Sequence, residues 1–272
     1  MEYTPKIIDC MTFYNELDLL TYRLNALNDV VDYFIIVESK YTFSGIEKPL
    51  FFNENKGLFS IFLDKIIHII LDSAPFIYPN INYQQNEQWE NEKYQRDMIA
   101  SGLNKLTLHP NDLITITDLD EIPDPNTLSQ LKCASLSICI GSFEMDCYFY
   151  NLNTYTGSWD KAKILSYETY QALQLSCSQI RHYANNTPIK KGGWHLSYFG
   201  DSLFIQNKIK MFSHQEVNTK EYTNLTRINH ALENGINVVH HNQLTQIPIK
   251  NNHYLPPKYD VYLQRFIKDV PK

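Results

Sequence analysis

Three carboxylates, Asp118, Asp120 and Glu121, fall within four residues at the end of the run Leu113-Ile114-Thr115-Ile116-Thr117. The short apolar, β-branched run reads as a buried strand, and Pro123 just beyond it cannot continue a hydrogen-bond ladder. The acids therefore stand at a strand's carboxyl end, the edge at which open α/β sheets bind ligands. Alternation puts Asp118 and Asp120 on one face, where carboxylate oxygens can hold a hard divalent cation whose remaining positions are filled by substrate phosphates. A solvated acidic turn is the commoner fate of such a cluster, but the apolarity of this strand favours convergence on one point. Two further features carry chemical potential. Gly192-Gly193-Trp194-His195 joins glycines that permit close backbone approach to a stacking plate and a base or ligand. An aromatic run, Tyr148, Phe149, Tyr150, Tyr155 and Trp159, follows two more acids, Glu144 and Asp146. Alternation pairs Tyr148 with Tyr150 on one face, suited equally to a sugar or to the core.

The elements that must position these groups alternate between strand and helix. Residues 6–13 predict a first strand, Leu17–Leu27 a helix with Leu17, Leu20, Leu24 and Leu27 on one face, and 30–37 a second strand ending in Glu38. This β-α-β opening has the layout of a nucleotide-binding half-sheet, but without a GxGxxG it speaks against a dinucleotide enzyme. The loop Tyr41-Thr42-Phe43-Ser44-Gly45 with Lys48-Pro49 brings polar groups and a cation to that edge, for a phosphate contact, a nucleobase contact or a structural turn. Further on, Ile66–Leu71 predicts a third strand and 90–103 a helix carrying Arg96, within reach of a diphosphate or of a carboxylate. Pro125–Cys133 predicts a helix opened by proline, 136–150 a strand or strand pair, 185–191 a polar loop, and 201–212 and 224–234 two more helices, the first bearing Lys208.

The chain has 272 residues, which suits one α/β unit, with a nucleotide- and metal-binding half at about 1–135 and an acceptor half with a C-terminal extension at about 136–272. A formal charge of -6 gives no reason to expect nucleic acid as a partner. The 19 tyrosines would serve a sugar cleft, although most must fill the core. Cys10, Cys133, Cys139, Cys147 and Cys177 are odd in number and lack CxxC spacing, so neither a zinc site nor a disulfide framework is indicated. With no signal peptide and no stretch near the ~20 apolar residues of a spanning helix, the expectation is a soluble, cytoplasmic or peripheral protein without an integral membrane segment.

As an ordered set, the segments from Asp9 to Leu20, from Val31 to Ser39, Thr42 to Gly45, Asp118 to Pro123 and Gly192 to His195 resemble glycosyltransferase family 17 from about Ile7 to Glu216. The resemblance implies a GT-A type fold with a mostly parallel central sheet flanked by helices, an inverting mechanism, a UDP-sugar donor, most readily UDP-N-acetylglucosamine, a glycan acceptor, and Mn²⁺ or Mg²⁺ on the Asp118-Leu119-Asp120 motif. His214 is the expected third metal ligand. Asn15, Glu38, Thr42, Ser44, Gly45, Arg96, Asp118, Leu119, Trp194 and Lys208 are expected at the donor. The base is sought first at His195 and Glu216, with Asp146 and Glu144 behind them. Rival readings are a sugar-nucleotide pyrophosphorylase, whose basic Gly-rich loop is not found at Phe13-Tyr14-Asn15-Glu16, a non-catalytic glycan-binding module, which leaves Asp118 and Asp120 without purpose, and a metal-dependent hydrolase, which lacks a second His/Asp cluster.

Overall fold

Apolar residues on both faces of three central strands dictate a sheet covered on both sides. The computed structural model describes residues 3–134 and 140–268. Its strands are β1 (Ile7–Phe13), β2 (Tyr33–Ser39), β3 (Ile66–Leu71), β4 (Leu113–Asp118), β5 (Glu121–Pro123), β6 (Gly141–Phe149), β7 (Thr154–Trp159), β8 (Lys163–Ser166), β9 (Thr187–Ser197) and β10 (Thr245–Gln246). They form one sheet in the order β10-β7-β6-β8-β4-β1-β2-β3, with β9 alongside β6 and β5. The β3-β2-β1-β4 portion is parallel throughout. β8 then joins antiparallel to both β4 and β6, so the two expected halves share a continuous ladder. Among the described residues no helix is long and apolar enough to cross a membrane.

Alternation along β1 sends Ile7, Met11 and Phe13 into one apolar layer and Ile8 and Cys10 into the other. The Leu17–Leu27 helix, whose Leu20, Leu24 and Leu27 are buried, covers the first layer. The second is covered by Ile99 and Leu103 of the Ile99–Leu103 helix and by Cys177 and Ile180 of the Cys177–Arg181 helix. A third layer forms between the Ser202–Met211 and Leu225–Asn234 helices, around Ile205, Ile209, Ile228 and Ala231.

Three local expectations need correction. The helix expected over 90–103 is two helices, Glu87–Asp97 and Ile99–Leu103, with Met98 (ψ -3°) between them. The polar stretch expected as a loop over 185–191 becomes the first half of β9, because its polar side chains lie on an exposed edge while the backbone pairs with β6. The strand expected from 136 begins at Gly141, and residues 135–139, Cys139 included, lie outside the described residues. The Gly192-Gly193 pair serves the sheet itself. A Cβ on Gly193, whose φ is +132°, would lie 2.1 Å from the Ile122 carbonyl oxygen, and one on Gly192 would lie 2.7 Å from the Phe143 Cα. The glycines thus let β9 press between β5 and β6.

One charged residue lies on the buried face of the first helix. Arg23 is fully buried and grips Asp9 of β1 with two hydrogen bonds, from Nε at 2.8 Å and Nη2 at 2.7 Å. Nη2 also donates to Thr117 Oγ1 at 2.6 Å, and Nη1 donates to the carbonyls of Asp118, Leu119 and Glu121 at 2.9, 3.0 and 2.8 Å. The turn that carries the acids is therefore clamped from beneath. Replacing Arg23 by Met leaves the Asp9 carboxylate buried without its partner, which should cost ~3–5 kcal/mol of stability. Urea unfolding measures this directly, and a loss under about 1 kcal/mol would deny the clamp its role.

Candidate active site

Strand β4 ends at Asp118, beside Thr12 of β1, and the chain then turns into β5, which places Glu121 opposite His195 of β9. Each acid meets cations from elsewhere in the fold. Asp118 accepts from Arg96 Nη2 at 2.9 Å, Arg181 Nη2 at 2.7 Å and Thr12 Oγ1 at 3.1 Å. Glu121, fully buried, takes two bonds of 2.7 Å from Arg181, accepts from the Asp118 amide at 2.8 Å and receives the Trp159 indole N–H. Asp120 lies 2.9 Å from Lys208 Nζ and 3.5 Å from His195 Nε2. Lys208 also reaches Glu16 at 3.3 Å.

These pairings fix protonation. Burial pushes the Asp118 carboxyl up, but the charges of Arg181 and Arg96 outweigh it and hold the group well below the usual carboxylate range. Burial is likewise overcome at Asp120, by Lys208 and then His195. The His195 imidazole, lowered by burial, is lifted by Asp120 to about 10. Its other nitrogen, Nδ1, is 3.4 Å from Cys147 Sγ. At neutral pH His195 is thus an imidazolium, a donor to Asp120, and in this arrangement it has no lone pair with which to act as a base.

The acids form the floor of a cleft of about 1020 Å³ at the carboxyl edge of the parallel strands. Of the sequence-predicted residues, Thr42, Asp118, Leu119, Asp120, His195, Lys208, His214 and Glu216 line it. His214 and Glu216 are exposed and joined by a 2.6 Å bond from Nδ1 to Oε1. Arg96 is buried beneath the cleft, acting through Asp118.

The remaining predicted residues lie elsewhere. Glu38 is fully buried and faces inward, accepting from the Phe52 and Asn53 amides and from His68, so it anchors the chain after β2 and cannot hold a nucleoside. Ser44 is buried beneath Thr42, and Gly45 (φ +78°) packs against the backbone of Phe76 and Tyr78. Asn15 lines a neighbouring hollow, with its Oδ1 buried and unpartnered among the described residues. Trp194 points away from His195, as alternation along β9 requires, and its indole donates to the Tyr254 carbonyl at 3.0 Å. Asp146 lies on the side of β6 away from Cys147 and the cleft, where burial raises its carboxyl. Glu144 pairs with Lys190 at 2.5 Å. Tyr148 and Tyr150 are buried, and Phe149 takes the cleft wall in their place.

Sequence reasoning assigned no role to Arg181, Glu16 or Glu92 and named Trp159 only within an aromatic run, yet all four line the cleft. Trp159 lies against His195 with ring centres 4.5 Å apart. The one local signal was Arg181, a charge directly after the apolar Ile180 on a helix held against the sheet.

A divalent cation can be tested against this donor set. Among the described residues no three His, Cys, Asp or Glu side chains gather closely enough to form a metal cage. The two aspartates nonetheless offer hard oxygen donors on the cleft floor, which suits a cation held by one or two carboxylates and by substrate phosphates.

Fold and site together define an α/β protein whose ligand cleft, floored by paired acids, opens at the carboxyl edge of parallel strands. The sequence model of "Glycosyltransferase family 17" matches residues 1–243, and the chain belongs to that family. Rat and human proteins named beta-1,4-mannosyl-glycoprotein 4-beta-N-acetylglucosaminyltransferase are each 33% identical to it over 135 residues, 48% of this chain. The matched stretch spans only 24% of the length of those relatives. Among solved structures, S. aureus TarS 1-349 aligns with 85% of this chain and 71% of its own at 10% identity and a TM-score of 0.43. A mannosyltransferase from Pyrobaculum calidifontis, solved in complex with GDP-Man and Mn2+, aligns with 85% and 70% at 9% identity and the same TM-score.

The depressed carboxyls link the site to acid stability. A group whose folded pKa lies below its unfolded value contributes fully above the unfolded value, about 4 for Asp, and loses that contribution as pH falls. Lys208→Met removes the largest charge that lowers Asp120. The drop in unfolding free energy between about pH 5 and pH 2 should therefore be shallower in the variant. Urea unfolding at stepped pH measures both slopes, and parallel slopes would mean that Lys208 does not hold Asp120 ionised.

Proposed function

We propose that this protein transfers a sugar, N-acetylglucosamine, from a UDP-sugar to a glycan hydroxyl, with inversion at the anomeric carbon. The observation that most supports this reading is the pair of ionised aspartates, Asp118 and Asp120, on the floor of a cleft at the carboxyl edge of the parallel strands. Family membership supports the reaction class. The choice of N-acetylglucosamine rests on the names of the rat and human relatives. The acceptor is proposed at the level of class, a glycan carried by protein, lipid or polysaccharide.

Glycosyl transfer passes through an oxocarbenium-like state as the diphosphate leaves with growing negative charge. A Mn²⁺ or Mg²⁺ ion held by Asp118, Asp120 and the substrate's phosphates would supply Lewis-acid compensation for that charge, without His214, which does not gather with the two aspartates. The chain's own cation for the same purpose is Lys208, whose ammonium faces the cleft 2.9 Å from Asp120. Preorganised donors of this kind are each worth ~10²–10³ in rate. Trp159 offers an aromatic plate against which the apolar face of a sugar can rest.

Inversion needs one base on the acceptor side. Of the four groups considered, Asp146 and Glu144 are off the cleft and both ring nitrogens of His195 are engaged, by Asp120 and Cys147, whereas Glu216 stands on the cleft wall with Oε2 unengaged among the described residues. Glu216 is therefore assigned the base, with His214 holding its other oxygen.

Thermal unfolding with UDP-N-acetylglucosamine and Mn²⁺ should be shifted upward, neither component alone should match the shift, and Asp120→Ala should abolish it. If no nucleotide sugar stabilises the protein with or without metal, the transferase reading fails. Glu216→Gln should retain donor binding while transfer falls by ~10²–10⁴. Full turnover in that variant would move the base elsewhere.

A further inference from the structure

Nearly every strong cation on the cleft already has an acid. Arg181 holds Asp118 and Glu121, Lys208 holds Asp120 and Glu16, and Lys161 holds Asp160. Among the described residues, Lys48 is the cleft-lining lysine or arginine without a carboxylate in salt-bridge range. Its ammonium sits 5.5 Å from the centre of the Tyr14 ring and 5.4 Å from that of Phe51, and donates to the Pro49 carbonyl at 3.2 Å. An ammonium has three donors, so capacity remains for a ligand. Burial lowers this ammonium to about 8 against the pull of Glu38, Glu16 and Glu54, as expected of a cation short of partners. Its backbone is fixed: the Lys48 amide donates to the Lys40 carbonyl at 2.7 Å, directly after β2.

Position along the sheet says which part of a ligand Lys48 meets. Asp118 on β4 pairs with Thr12 on β1, and Phe13 on β1 pairs with Glu38 at the end of β2. Two strand spacings of ~4.8 Å put the carboxyl end of β2 roughly 10 Å from the acids. A nucleotide with its phosphates over Asp118 and Asp120, extended across β1, carries its base to Tyr14 and Lys48.

Resting on the donor reading above, we propose that Lys48 determines nucleobase specificity by donating to the O4 carbonyl oxygen of the base, so that the site takes uracil and rejects cytosine. The two bases differ in the group facing such a donor: uracil, like thymine, presents the O4 acceptor where cytosine presents an amino group. Hydrogen bonds to charged groups are worth enough to set a preference of about 10- to 100-fold.

The test is calorimetric titration of the full chain at pH 7 with Mn²⁺, using UDP and CDP as probes. Wild type should prefer UDP by about 10- to 100-fold. Lys48→Met should lose most of its UDP affinity with little change for CDP, so that the preference collapses. Lys48→Arg keeps a charged donor and should keep the preference, which guards against a variant that merely misfolds. Equal binding of UDP and CDP by wild type, or parallel losses for both in Lys48→Met, would overturn the proposal while leaving the donor site in place. Binding of neither nucleotide by wild type would instead remove the donor reading and the proposal with it.

Discussion

Arg23 sits between the first helix and the central strands with no access to solvent, and the geometry of the cleft floor depends on it. A buried guanidinium is tolerable when its charge is matched and its donors are filled. Asp9 supplies the charge, while Thr117 and the carbonyls of Asp118, Leu119 and Glu121 take the remaining bonds. The carbonyls matter most, because a tight turn after β4 would otherwise leave backbone acceptors buried and unpaired. The same side chain therefore neutralises a core carboxylate and shapes the loop that presents two others.

Above that clamp the site is assembled by register. Glu121 faces His195 across β5 and β9, and Cys147 faces His195 across β6 and β9. Strand β9 is thus held on both sides by ladders that decide which of its side chains look into the cleft. A slip of one residue would exchange His195 for Trp194 and remove an ion-pair partner of Asp120. The paired glycines that admit β9 between its neighbours are structural for that reason.

Much of the scaffold was legible in the sequence. Leu17–Leu27, Ile66–Leu71 and Pro125–Cys133 emerge with the expected bounds because their periodicity or capping is local and strong. The position of Asp118 and Asp120 at a strand's carboxyl end was legible because the apolar, β-branched run before them marks a buried strand. What was hidden depended on distant partners. Nothing near Glu38 in sequence announces that the Phe52 and Asn53 amides will consume its carboxylate. The face of β9 that meets the cleft is set by its pairing with β6, so Trp194 and His195 could not be told apart as cleft residues. Arg181 and Trp159 reach the acids from elements 60 and 38 residues from Glu121, beyond the range of any motif.

The matching of cleft acids with fixed cations also governs how a ligand arrives. Asp118, Asp120 and Glu121 face Arg96, Arg181, Lys208 and His195, so the charges on the cleft floor are largely matched in pairs. The chain as a whole is at -6, the same sign as a nucleotide diphosphate. Under the proposed reading, the net charge gives such a ligand no long-range attraction. Recognition is deferred to the last few ångströms, where individual donors within the cleft meet individual oxygens and added salt has little left to screen.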